Sequence, residues 1–142
     1  MRRTSWQIVS LVLVLSLALL SCDGPSRGTN TQPSSASGFL VNITASPNVL
    51  RAETGQEGSG GCANVTVKVF DRQGRLVDGA LVTVTTNLGR FVDESDDDLV
   101  GITTTTLRGI ATFVLCPQQV TGTAIVQANV EDAFATTTVT FF

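Results

Sequence analysis

The sequence predicts an all-β domain, an antiparallel β-sandwich of about seven strands. Three observations lead there. From Phe39 onward apolar and polar residues alternate, turn residues interrupt the alternation at short intervals, and no window carries the spacing of an amphipathic helix.

Each element follows from that rhythm. Val65, Val67 and Val69 alternate with Asn64, Thr66 and Lys68, and Val82 and Val84 alternate with Thr83 and Thr85. Ala111, Phe113 and Leu115 alternate with Ile110, Thr112 and Val114. Ala124, Val126, Ala128 and Val130 form one face of the next run, and Ala135, Thr137, Val139 and Phe141 alternate with Thr136, Thr138 and Thr140. One apolar and one polar face is the pattern of a sheet covered on one side. The threonine runs at 103–106 and 136–138 read as solvent faces, where a β-branched side chain fits the pleat. Turns are signalled at Arg72-Gln73-Gly74, Asp78-Gly79, Leu107-Arg108-Gly109, Thr121-Gly122 and Glu131-Asp132. The connections are too short for crossover helices, which disfavours a parallel sheet.

Composition bounds the function. The 142 residues are 42% hydrophobic and 15% charged, enough apolar content for one core and too little charge for a disordered chain. There is no histidine and no tyrosine, and the one tryptophan, Trp6, sits near the N-terminus. Lacking the commonest general base and metal ligand, the chain reads as non-enzymatic, without cofactor or small-molecule substrate. Lys68 is the only lysine, and no basic cluster marks a nucleic-acid partner.

The N-terminus reads as an export signal over residues 1–21. Arg2 and Arg3 precede an apolar run from Ile8 to Leu20, shorter than the roughly 20 residues a spanning helix needs. The run ends in Leu19-Leu20-Ser21-Cys22, which resembles the lipobox of bacterial lipoproteins. That resemblance implies cleavage before Cys22, acylation of its thiol, and attachment of the protein to an envelope membrane. One acyl chain binds a bilayer marginally and several anchor it, at about 0.8 kcal/mol per buried methylene. Residues 22–37 then form a flexible linker rich in Gly, Pro, Ser and Thr, whose ends would lie roughly 20 Å apart, ahead of a domain over 38–142.

Within that domain, Val65 to Phe91 (VTVKVFDRQGRLVDGALVTVTTNLGRF) resembles the group-1 bacterial immunoglobulin-like domain of invasins and intimins. A V-x-V-x-V strand runs into Asp71-x-x-Gly74, then a turn at Val77 and Gly79, then a second strand at Val82 and Val84. Thr105-x-x-x-Gly109-x-Ala111 and Gly122-Thr123-Ala124-x-Val126-x-Ala128 continue the likeness, and Leu76 or Val77 stands where that turn usually has proline. The resemblance implies an immunoglobulin-like sandwich used for adhesion or protein interaction. Antibody-type domains fit badly, because their core tryptophan and corner tyrosine are missing. The resemblance also implies that the strand after Cys62 pairs antiparallel with the strand ending at Cys116. A Cys62–Cys116 disulfide on the outward side of one sheet is then expected in an oxidising compartment, with two free thiols as the alternative.

Other features admit two readings. Asp93, Glu94, Asp96, Asp97 and Asp98 surround Ser95 in a loop that reads as a solvated, soluble turn, with calcium as the lesser candidate. The leading functional reading is a membrane-anchored envelope lipoprotein that displays one domain to an unknown protein partner at the cell surface. A periplasm-facing accessory role, with a partner docked along a strand edge, is the alternative. A carbohydrate-binding module trails, because only Phe70 and Phe91 look available as exposed rings.

Overall fold

The computed structural model describes residues 35–55, 60–93 and 99–142. The export signal, Cys22 and residues 94–98 of the acidic loop lie outside them. The described residues form nine strands: β1 Leu40–Ser46, β2 Val49–Leu50, β3 Ala63–Phe70, β4 Leu81–Thr86, β5 Arg90–Val92, β6 Gly101–Thr105, β7 Ile110–Cys116, β8 Gly122–Val130 and β9 Ala133–Phe141.

They build two sheets, ordered β1-β3-β7-β5 and β2-β9-β8-β4-β6. All-β architecture and the sandwich follow the expectation. The strand count is larger because β2 and β5 have two and three residues, too short to show alternation in sequence. Every pairing is antiparallel except β2 with β9, where Val49 and Leu50 run parallel to Thr140 and Phe141. That exception has a local cause. Pro47 cannot donate to a ladder, so pairing with β3 stops at Ser46 and the chain resumes beside β9 in the other sheet.

The alternation read from sequence is the alternation of burial. Val65, Val67, Val69, Val82, Val84, Ala124, Val126 and Ala128 are completely buried, with Phe91, Leu115 and Val139 between them. Phe91 and Phe113 meet edge to face with ring centroids 6.2 Å apart. The core is thus mostly valine and alanine, with a few rings filling the middle in place of a tryptophan. Burying a valine contributes about 1.5–3 kcal/mol relative to leaving it in water.

Consecutive strands need not share a sheet. β5 lies at the edge of the four-stranded sheet, and β6 lies at the edge of the five-stranded one. Between β6 and β7 the chain reverses at Arg108 (φ 54°) and Gly109 (φ 77°), a two-residue turn closed by Leu107 and Ile110. Only glycine suits position 109. A Cβ there would come within 2.5 Å of the Leu76 Cβ, in a left-handed conformation besides.

Candidate interaction surface

The described chain begins at one pole of the sandwich, near Asp132 in the β8–β9 turn. It ends at the other, where Phe142 accepts a hydrogen bond from Ala52 N–H at 2.8 Å. The near pole is a set of turns tied to each other by side chains. Asp71 Oδ1 accepts the N–H groups of Gln73 and Arg75, both at 2.9 Å, and Asp71 Oδ2 pairs with the Arg75 guanidinium at 2.8 Å. The Arg75 N–H is the chief reason this carboxyl sits below its ordinary range; partial desolvation opposes it, and the Arg75 guanidinium and Gln73 N–H add to it. Asp78 Oδ1 accepts the Arg108 N–H at 2.6 Å, joining two turns that each cross between the sheets, β3 to β4 and β6 to β7. Thr106 is buried and does the same from inside. Its hydroxyl donates to Val77 C=O at 2.7 Å and accepts Ala80 N–H at 2.9 Å. Gly74 N–H donates to Asp71 C=O and Gly79 N–H to Thr106 C=O, both at 2.9 Å and both from glycines at positive φ, which accounts for Asp71, Gly74 and Gly79 in the sequence pattern.

The last residues of the expected linker join this pole. Ala36 N–H and Ser37 N–H donate to the Asp132 carboxylate, and Arg72 Nη2 donates to Ala36 C=O at 2.9 Å. The Ser37 hydroxyl is the main cause of a lowered Asp132 pKa, opposed by desolvation and helped by the Ser37 and Ala36 N–H groups.

The far pole carries the disulfide. Cys62 and Cys116 are bonded, with Cα atoms 4.3 Å apart, one step beyond the paired Ala63 and Leu115. It joins neighbouring strands of one sheet instead of bridging the sandwich. Both cysteines have outward parity, yet Cys116 is buried. The chain after β2 lies over that corner, with Glu53 N–H bonded to Gln118 C=O at 3.2 Å and the Glu53 carboxylate 3.7 Å from Arg90. Asp93 is the one described member of the acidic run, and among the described residues no three His, Cys, Asp or Glu converge as a metal site.

The two outer faces differ in charge. On the four-stranded sheet Lys68 stands between Asn42 and Ile110, and Arg90 stands beside Cys116. The five-stranded sheet presents one row of Thr103, Thr83, Asn129 and Phe134, and a second of Gly101, Thr85, Gln127 and Thr136. Leu81 pairs with Thr105, Ile125 with Thr138, and Thr123 with Thr140 and then Val49. None of these residues is charged. Thr83 and Thr103 share a hydroxyl–hydroxyl bond of 2.9 Å, and Gln127 donates to Asn129 at 2.7 Å. A cleft of about 550 Å³ opens where this face meets the near pole, lined in part by Leu81, Thr83, Asn129, Asp78 and Glu131.

One site expectation needs correction. Phe91 is completely buried and forms part of the core, so it is no exposed ring. A three-residue strand shows no alternation of its own, and its pairing with Leu115 turns the ring inward. Phe70 is half-buried, and the rings that do face solvent are Phe134 and Phe142, 43% and 61% exposed. The alternation of β9 already placed Phe134 outward.

Two facing sheets with a first strand divided between them define an immunoglobulin-like β-sandwich. Within that class the domain is similar to the immunoglobulin-like domains of the bacterial adhesins intimin and invasin. It superposes on a C-terminal fragment of intimin, solved in complex with the intimin-binding domain of the translocated intimin receptor, at 26% identity and TM-score 0.54, covering 70% of this chain and 32% of that one. The adhesin InvE of Yersinia pseudotuberculosis matches at 22% identity and TM-score 0.55 over 72% of this chain and 26% of that one. Invasin, described as a bacterial integrin-binding protein, matches at 24% and 0.53, over 71% and 18%. A glycosyl hydrolase family 2 member from Bacteroides cellulosilyticus shares the fold at 18% identity and TM-score 0.53, over 72% of this chain and 14% of that one. This chain therefore spans about a third or less of each of these proteins. No protein-family model matches the sequence, and no curated protein matches it.

Proposed function

We propose that this chain is a non-enzymatic envelope lipoprotein, anchored through acylated Cys22, which presents one immunoglobulin-like domain for adhesion or protein interaction at the cell surface. The observation that carries the reading is the likeness to the intimin fragment across 70% of the chain. The lipobox-like Leu19-Leu20-Ser21-Cys22 supplies the anchor in this reading, and an acyl group on Cys22 would leave that thiol out of disulfide chemistry. The geometry supports display. A tether arriving at Ser35 meets the near pole, so the far pole, with the disulfide and Phe142, points away from the attachment point.

Replacing Cys22 with alanine is expected to move the protein out of the membrane fraction or leave the leader uncleaved. Unchanged fractionation with unchanged mature mass would end the lipoprotein reading. Protease added to intact cells is expected to digest the domain. Protection until the envelope is permeabilised favours the alternative, an accessory protein facing the periplasm. One observation supports that alternative directly. The outer edge strand β6, Gly101–Thr105, has no charge or proline to discourage pairing, so a partner strand could add to it.

A further inference from the structure

We propose that the uncharged outer face of the five-stranded sheet, with the cleft at its near-pole end, binds a neutral polysaccharide. The inference goes beyond the display reading and stands whether or not Cys22 is acylated.

Charge carries the first step. Charged side chains are mostly exposed in soluble proteins, and a soluble surface designed from scratch is given about 25–35% of them. Here none of the outward residues of five adjacent strands is ionisable, while Lys68 stands on the opposite face. A charged partner would lose hydration against this face and gain no counter-charge. The occupant that fits is uncharged.

Hydrogen-bond chemistry carries the second. Threonine hydroxyls both donate and accept and turn to suit a ligand, and the Asn129 and Gln127 amides offer both roles at fixed positions. A second copy of this chain packed on the face would bury these groups, and each one left unmatched costs about 1–3 kcal/mol. Sugar hydroxyls and bridging water satisfy them instead. Phe134, exposed beside Asn129, supplies the flat apolar surface on which the C–H face of a sugar ring rests.

The cleft adds depth. Its volume of about 550 Å³ lies within the range of ligand sites, and Leu81, Thr83 and Asn129 belong both to it and to the face. Asp78 and Glu131 at its rim are carboxylate acceptors for sugar hydroxyls. The arrangement takes a polymer lying across β9, β8 and β4, with one unit lowered into the cleft.

The test is native affinity electrophoresis of the full-length protein in a polyoxyethylene detergent. Gels contain dextran, hydroxyethyl cellulose or galactomannan, with the polyanion polygalacturonate as control. Retardation by at least one neutral polymer is expected, with none by the polyanion. Phe134→Ala and Asn129→Ala should each weaken it about tenfold, Thr85→Asp should abolish it, and Lys68→Ala on the other sheet should leave it unchanged. Unfolding midpoints matching the parent protein show that the variants fold. Four outcomes overturn the proposal: no retardation by any neutral polymer, equal retardation by polygalacturonate, retardation that survives both alanine changes, or a dimer that Thr85→Asp dissociates. The last result makes the face a contact between copies.

Discussion

The two poles of the sandwich are closed by different means. At the near pole, turns from both sheets are tied by hydrogen bonds through Asp71, Asp78, Thr106 and Asp132. At the far pole a covalent bond joins β3 to β7, and the mostly buried Arg90–Glu53 pair lies beside it. Hydrogen bonds to exposed carboxylates exchange with water and respond to pH. A disulfide responds only to redox conditions. An oxidising environment therefore closes one pole covalently, while the other stays adjustable where Ala36 and Ser37 meet Asp132.

The largest effect should come from the far pole. Reducing the disulfide, or replacing both Cys62 and Cys116 with serine, closes no loop in the unfolded chain. With the cysteines 54 positions apart in sequence, the chain-entropy model gives a loss of about 4 kcal/mol, measurable by denaturant unfolding with and without reductant. A loss below about 1 kcal/mol would mean that the far pole is held by packing alone.

Next comes the turn core of the near pole. Gly109→Ala forces a Cβ against Leu76 at φ 77° and should cost about 3 kcal/mol. Thr106→Val keeps the shape but leaves the Val77 C=O and Ala80 N–H without their hydroxyl partner. About 2 kcal/mol is expected, with Thr106→Ser restoring most of it. A small loss for valine with a larger one for serine would assign Thr106 a packing role instead.

The smallest effect is at Asp132. Its pKa is lowered in the folded protein, so its contribution is complete above the ordinary carboxylate range and disappears as pH falls through the lowered value. The protection of the Ala36 and Ser37 amides, after division by their intrinsic exchange rates, should fall on such acidification, and Asp132→Asn should lower it to the same level already at neutral pH. Global stability should hardly change, because the carboxylate is exposed. Protection indifferent to both would show that Ala36 and Ser37 are held elsewhere, for example by Arg72 on Ala36.

Long strands were legible and short ones were not. β3, β7 and β8 show their buried face in sequence because seven to nine residues give several turns of a two-residue period. β2 and β5 have two and three residues and carry no periodic signal, which is how Phe91 came to look exposed. The motif residues Asp71 and Gly79 were visible, but their reason was not: Asp71 closes its own turn, whereas Gly79 N–H is bonded to Thr106 C=O, 27 residues away. The uncharged face was visible only in fragments. Its threonines come from β6, β4, β8 and β9, and each run alone looks like an ordinary solvent edge.

By itself the sequence determined which side of each long strand is buried and where the chain turns. Backbone pleat and turn geometry are local, so neighbouring residues suffice to set them. Only the tertiary structure decided which sheet each strand joins, that Phe91 points inward, and that one face carries no charge. Those outcomes depend on pairings between distant segments, whose closure no local pattern records.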